Sequence, residues 1–377
     1  MKRSPRILLS ANSFWNLFNF RKNLILHLLD QGFQVTLVAP DDKYAEVFSR
    51  LSCKVVKVSM NKKGSNPFHE LLTFLSYLKT YLLCRPDYIL HYTIKPVLYG
   101  SFAAMFTRAR VVNTITGTGT AFLGSRTLRR LVEFLYRLTQ WRARRVLFQN
   151  TEDRDLFQGN RLVPSGRIGL VPGSGVDLNR FLPREKEESA VRFLLAARLL
   201  RDKGVGEFVG AARLLKTRNP SLRFQILGFL DAENRSAISS EDMEAWVSEG
   251  VVEYLGETES VEEVMIQSSC IVLPSYREGT PRSLLEALAL SLPIITTDSA
   301  GCRETVIDGE NGFLCKARDV DSLVLAIEKM LALSPGQREA MGRRGRELAE
   351  TKFDERIVIG RTMKALGICT SVSNGGL

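Results

Sequence analysis

Ile271-Val272-Leu273-Pro274-Ser275-Tyr276-Arg277-Glu278-Gly279-Thr280-Pro281-Arg282-Ser283-Leu284-Leu285-Glu286-Ala287 reads as a strand, a turn and a helix. The short apolar run 271–273 has the pattern of a strand buried on both faces. Residues 283–290 read as a helix, with Thr280 suited to the N-cap and Pro281 to the first helical position. Glu278 then falls in the turn and Glu286 in the second helical turn. The helix start between them offers unpaired N–H groups and the positive end of the helix dipole, a site for a phosphate. Carboxylates beside a phosphate are repelled by it unless they face something else. Sugar hydroxyls, which donate hydrogen bonds to ionised carboxylates, fill that role. The stretch has the chemistry of a nucleotide-sugar site.

Outward from this stretch, short β-rich runs alternate with helical patterns, which predicts parallel sheets covered by helices. Strand candidates are 7–10, 35–39, 55–58, 89–92, 111–115, 146–148 and 168–171, then 193–196, 224–228, 252–255, 271–274, 294–297 and 312–315. Helical stretches include 20–29, 71–83 and 127–144. The charged run 183–189 is the expected linker. The predicted fold class is α/β: two doubly wound domains, 1–185 and 186–377, facing each other across a cleft. The last helix, about 354–369, crosses back to the first domain. Ligands of such sheets sit at the carboxyl ends of the strands. No internal repeat stands out, and the tail 370–377 reads as frayed.

The chain has 377 residues, enough for two cores, and its 45% apolar and 25% charged content is that of a soluble globular protein. No apolar run reaches the roughly 18–20 residues that span a bilayer. The N-terminus lacks a signal-like apolar stretch with a small-residue cleavage site. Six scattered cysteines without a Cys-x-x-Cys pair read as reduced thiols of a cytoplasmic protein. Residues 1–188 hold 29 basic and 14 acidic residues, against 23 and 27 in the remainder, so the first half is net +15 and the second −4. The first half therefore calls for an anionic partner.

Other side chains join the opening stretch. In Ala197-Arg198-Leu199-Leu200-Arg201-Asp202-Lys203-Gly204, after the first strand of the second domain, Arg198 and Lys203 are cations able to reach one diphosphate. Read alone, the same run is a solvated basic turn. Gly228 ends another strand at the same edge, where backbone can approach a ligand closely. Asp153-Arg154-Asp155 and Asp319-Val320-Asp321 have a metal-pair spacing, but each opens a helix, where acids complement the dipole. No metal and no cofactor are expected. In 126–145, Leu128, Leu131, Val132, Leu135, Leu138 and Trp141 recur at helical spacing, with Arg126, Arg129, Arg130 and Arg137 among the charges. Two readings stand: a core helix with a solvated basic face, or a helix on anionic lipid headgroups or a lipid diphosphate. The stretch 71–83 is apolar enough for core or membrane.

These residues, with Gly301-Cys302-Arg303-Glu304 and Asn311-Gly312-Phe313-Leu314, resemble a retaining glycosyltransferase of family 4, whose GT-B fold pairs two Rossmann-like domains. The resemblance implies that Arg198 and Lys203 bind the donor diphosphate and that Glu286 holds the nucleotide ribose. Glu278 with Gly279, Thr280 and Pro281 would hold the sugar. Asn19-Phe20-Arg21, Tyr92-Thr93-Ile94-Lys95-Pro96, Thr116-Gly117-Thr118-Gly119 and Gln149-Asn150 resemble a bacterial subgroup acting on undecaprenyl-diphosphate-linked saccharides. It implies a hexose or N-acetylhexosamine moved from a UDP-sugar, for cell-surface polysaccharide or glycan. Asn19, Arg21, His91, Lys95, Thr116 and Gly117 are the acceptor-side candidates. Many members carry a histidine after the fifth strand, where this chain has Thr114-Ile115-Thr116-Gly117; its histidines are 27, 69 and 91. His91 either faces the cleft or is a buried structural residue. No general base is named, since in retaining transfer the departing phosphate oxygen can take the acceptor proton. The implied location is cytoplasmic, peripheral at the inner face of the cytoplasmic membrane.

Two alternatives are weighed. A nucleotide-sugar epimerase of the same fold would want acids or histidines poised for elimination, and the first half has few. A basic nucleic-acid-binding protein would interleave its arginines with stacking aromatics, and this chain does not.

Overall fold

The computed structural model describes residues 3–60, 67–117, 126–184, 190–230 and 236–368. The described residues up to Ser174, with those from Arg356 onward, form one compact unit, and Gly175–Glu355 forms the other.

The first unit is built on seven strands: β1 (Arg6–Ser10), β2 (Gln34–Ala39), β3 (Lys54–Lys57), β4 (Tyr88–Tyr92), β5 (Arg110–Ile115), β6 (Arg145–Phe148) and β7 (Ile168–Leu170). They pair in the order β3-β2-β1-β4-β5-β6-β7, and every pairing is parallel. Alternate residues of a strand face opposite sides, so each strand feeds two cores. Ile7 and Leu9 of β1 enter one cluster with Leu37 and Leu90, while Leu8 enters the other with Val38 and Ile89.

The second unit holds β8 (Arg192–Ala196), β9 (Arg223–Leu227), β10 (Glu253–Tyr254), β11 (Cys270–Leu273), β12 (Ile294–Thr297) and β13 (Gly312–Cys315). Their order is β10-β9-β8-β11-β12-β13, again parallel. Phe193 stacks on Phe224 in one core, and Leu194 joins Leu284 and Leu288 in the other. All thirteen strands lie where the hydrophobic runs place them, within a residue or so at each end.

The chain enters the second unit at Gly175, ahead of the charged run 183–189. Val176, Leu178 and Phe181 are buried in its core, which fixes 176–181 there. Residues 185–189 lie outside the described residues. The helix Glu355–Leu366 packs Val358, Met363 and Leu366 into the core of the first unit. It ends at Gly367, whose φ of +73° and the Ile368 N–H to Met363 carbonyl bond close the last turn. The helix expected over 127–144 runs over Arg126–Gln140, and residues 141–144 turn into β6.

Candidate active site in the second unit

β8 and β11 are neighbours, yet the chain leaves them in opposite directions, outward to β9 and β10 or to β12 and β13. The loops after these two strands diverge and open a crevice at the carboxyl edge, where such sheets bind ligands. One loop runs through Ala197–Gly204, the other through Pro274–Pro281.

The two loops are stitched together. Tyr276 N–H donates to the Asp202 carbonyl at 2.9 Å. The Ser275 hydroxyl divides its hydrogen between the same carbonyl at 3.1 Å and Glu278 Oε1 at 2.8 Å. Gly204 permits this closeness, and Gly301 and Gly228 permit neighbouring loops to press on the same two. Gly204 has φ +75°, and a Cβ there would fall onto the Pro274 carbonyl. Gly301, at φ +75° in the loop after β12, lies against the Glu278 and Gly279 carbonyls. Gly228, at φ +154°, leaves no room for a Cβ beside the Ala197 carbonyl. The Glu278 N–H also donates to the Ala300 carbonyl at 3.0 Å.

Lys203 and Glu278, one from each loop, form an ion pair in which both side chains are about six-sevenths buried, at 15% and 14% exposure. Taking both charges out of water costs free energy that their attraction only partly returns. A doubly charged anion at Lys203 would compete with Glu278 for it and free that carboxylate to accept from hydroxyl donors. Arg198 is exposed on the earlier part of its loop and makes no ion pair among the described residues. The structure thus joins Lys203 to Glu278 and leaves Arg198 on the solvent side.

The helix after β11 spans Arg282–Ala289, with Pro281 in extended conformation at its N-cap. This corrects the expected cap: Thr280 turns its hydroxyl to the Gly279 carbonyl at 2.9 Å, and helical geometry begins one residue past Pro281. Gly279, Thr280 and Pro281 nonetheless form the tight turn that carries Glu278 to the helix start. Glu286 is buried, and Arg282 Nε donates to its Oε1 at 2.9 Å, one helical turn away. Burial raises the Glu286 pKa above the ordinary carboxylate value, partly offset by Arg282 and Arg180. Arg282 and Ser275 are site residues the sequence reading missed. The i,i+4 spacing of Arg282 and Glu286 was a usable signal; Ser275 had none.

In the first unit, Arg21 is buried on the helix Phe14–Asp30, its guanidinium 4.2 Å from the centre of the Tyr92 ring. That brings it to the carboxyl end of β4, beside β1. Asn19 spends an amide hydrogen on the Trp15 carbonyl of its own helix, at 3.0 Å. Lys95, after β4, donates to Glu70 Oε1 at 2.5 Å. Thr116 and Gly117 are half-buried just past β5, and 118–119 lie outside the described residues. His91 is a correction as a cleft residue. It is fully buried, its Nε2 2.6 Å from the Tyr81 hydroxyl and its Nδ1 2.8 Å from Asn113 Oδ1. Burial lowers its pKa to about 4. It is a neutral structural residue.

The helix Arg126–Gln140 buries Val132, Tyr136, Thr139 and Gln140. Leu131, Phe134 and Leu138 are exposed, and Trp141 just beyond is 70% exposed. The core-helix reading does not cover this: an apolar stripe faces outward beside the exposed Arg130 and Arg137. Arg129 is tied to Glu133 at 2.8 Å, and the Arg126 side chain lies outside the described ones. Of the acidic pairs, Asp319 caps its helix through the Ser322 N–H, and the Asp153 N–H is capped by Asn150. No helix among the described residues is long and apolar enough to cross a membrane.

Two family descriptions match the chain: "Glycosyl transferases group 1" over 180–348 and "Glycosyl transferase 4-like domain" over 21–173. The chain is 27% identical to the N,N'-diacetylbacillosaminyl-diphospho-undecaprenol alpha-1,3-N-acetylgalactosaminyltransferase of Campylobacter jejuni, covering 93% of this chain and 95% of that one. It is 25% identical to the UDP-Gal:alpha-D-GlcNAc-diphosphoundecaprenol alpha-1,3-galactosyltransferase of Escherichia coli, covering 77% and 76%. In fold it is similar to Anabaena HepE in complex with UDP and glucose, with a TM-score of 0.79 at 16% identity over 97% of this chain and 100% of that one. Sucrose-phosphate synthase from Thermosynechococcus elongatus also gives 0.79, at 18% identity over 97% and 98%.

Proposed function

The chain belongs to the retaining GT-B glycosyltransferases of family 4, and from that premise we propose that it moves a hexose or N-acetylhexosamine from a UDP-sugar to a lipid-diphosphate-linked saccharide. The donor rests on the second unit, where Lys203 and Glu278 meet beside a helix start and above the buried Glu286. Lys203, joined by Arg198, neutralises the diphosphate. Glu286 accepts from the ribose hydroxyls, and Glu278 with the Gly279–Pro281 turn accepts from and orients the sugar. The acceptor hydroxyl attacks the anomeric carbon on the face from which UDP leaves. The new glycosidic bond forms as the sugar–phosphate bond breaks, and the proton passes to the departing phosphate oxygen. Cations at that oxygen stabilise the charge that grows there, a contribution of roughly 3–4 kcal/mol for one well-placed donor.

The acceptor class is supported by the two undecaprenyl-diphosphate-linked transferases named above and by the basic first half. The outward stripe Leu131, Phe134, Leu138 and Trp141 beside Arg130 and Arg137 has the make-up of a surface that lies on an anionic membrane. The proposed location is therefore the inner face of the cytoplasmic membrane. The Asn19, Arg21, Lys95, Thr116 and Gly117 region would receive the acceptor. The epimerase alternative draws no support from these relatives, which are named transferases. Titration of UDP-sugar into the Lys203→Ala and Glu286→Ala proteins tests the donor site. Each should weaken binding about 10- to 100-fold, the worth of a charge-assisted hydrogen bond of roughly 1.5–3 kcal/mol; undiminished binding in both would remove the assignment.

A further inference from the structure

Arg282 and Glu286 stand one turn apart on the helix after β11, with Arg282 Nε donating to Glu286 Oε1 at 2.9 Å. Helix stability does not account for an arginine here. Arg282 is the first residue of Arg282–Ala289, at the end where the helix dipole is positive and a cation is unfavourable. The pair also runs in the poorer direction, with the cation N-terminal to the acid. Both side chains are withdrawn from water, at 15% and 12% exposure, so each charge has lost hydration that their attraction only partly returns. Local rules broken together at a crevice point to a functional constraint.

The geometry shows what that constraint serves. Arg282 takes Oε1, and the Glu286 carboxylate makes no other hydrogen bond among the described residues. The other charges near it come from separate elements: Arg180 on the segment entering the unit and Glu262 on the helix Val261–Met265. These two are paired with each other, Arg180 Nη2 lying 2.7 Å from Glu262 Oε2. They also act on Glu286 in opposite senses, the arginine favouring its charged form and the glutamate opposing it. Arg282 is therefore the cation that bonds Glu286 directly.

We propose that Arg282 is a positioning residue of the donor site: held on Oε1, it keeps the Glu286 carboxylate charged and leaves Oε2 for the ribose hydroxyls of the nucleotide-sugar. This rests on the ribose contact proposed above and adds the side chain that sustains it. Without the arginine the buried acid takes up a proton more readily, and a neutral acid accepts from hydroxyls more weakly.

Calorimetric titration of UDP-glucose and UDP-N-acetylglucosamine over a series of pH values tests it, in the wild type, Arg282→Gln, Arg282→Lys, Glu286→Gln and the double variant Arg282→Gln with Glu286→Gln. Glutamine at 282 keeps a donor but no charge; lysine keeps the charge. In Arg282→Gln the loss of affinity on acidification should set in about one pH unit higher than in the wild type, a tenfold change in proton affinity. Above both midpoints the two proteins should bind alike, and Arg282→Lys should keep the wild-type midpoint. The double variant removes both charges of the pair, so it remains informative should Arg282→Gln fail to fold. If Arg282 acts through Glu286, it should bind no more weakly than Glu286→Gln at any pH. The inference is overturned if Arg282→Gln leaves the midpoint in place or loses affinity equally at every pH. It is also overturned if the double variant binds more weakly than Glu286→Gln, which would make Arg282 a direct contact to the donor. Full affinity in Glu286→Gln is a different failure: it removes the ribose contact itself, and this inference with it.

Discussion

Glu286 is a buried acid whose proposed use favours its ionised form. Burial holds its pKa above the ordinary glutamate value, so the folded protein binds the proton more tightly than the unfolded chain. Its contribution to stability is therefore complete below the ordinary value and is lost as pH rises through the raised one. Under the proposed ribose contact, donor binding runs the other way, because the ionised carboxylate accepts from hydroxyls more strongly than the protonated acid. A UDP-sugar, whose diphosphate is esterified at both ends, should bind more weakly as pH falls through that raised value, and Glu286→Gln should bind weakly with no such slope. An equal slope in the variant would place the titrating group elsewhere. His91 gives the opposite signature. Its depressed pKa, about 4, means stability is present above the ordinary histidine value near 6.5 and is lost as pH falls toward 4. The full window is worth about 3 kcal/mol. Urea unfolding at pH 7 and pH 5 should show a smaller acid penalty for His91→Gln; an unchanged penalty would contradict the burial account. Glu278 and Glu286 were legible because their spacing belongs to one turn and one helix. The fate of His91 was not, because Tyr81 and Asn113, which hold it, come from a helix and a strand elsewhere in the chain.

At the scale of elements, strands were legible because parallel strands buried on both faces must be continuous apolar runs. Ile271–Leu273 could hardly be anything else. Loop chemistry was less so. Gly228 stood out as a strand end, but Gly204 and Gly301 matter because a second loop presses on each. Gly301→Ala forces φ +75° on a residue with a Cβ and drives that Cβ into the Glu278 and Gly279 carbonyls. It should cost at least about 2 kcal/mol of stability and weaken UDP-sugar binding. Stability and affinity equal to wild type would mean the two loops are not held as described. The helix Arg126–Gln140 was half legible. Helical spacing found its apolar residues, but period alone does not say how wide the buried stripe is, and Leu131, Phe134 and Leu138 fall outside it.

For the whole molecule, the charge division was visible in composition alone, +15 over 1–188 against −4 after. The passage into the second unit was not: the run 183–189 has the composition of a linker, whereas the burial of Val176, Leu178 and Phe181 puts the entry at Gly175. If the first half rests on anionic lipid, Arg130→Gln with Arg137→Gln should weaken binding to phosphatidylglycerol vesicles about 30-fold, at about 1 kcal/mol per basic residue. The loss should shrink as salt shortens the screening length. Vesicle binding unaffected by both changes would remove this helix from the membrane surface. The central claim is that this family 4 enzyme joins a UDP-sugar to a lipid-diphosphate saccharide, and mass spectrometry of the lipid after incubation with a set of UDP-sugars tests it most directly. The account predicts one product heavier by a single hexose or N-acetylhexosamine, with the donor's anomeric configuration kept and the product lost in Lys203→Ala. An unchanged lipid across the whole set, or a donor altered without any acceptor, would contradict it.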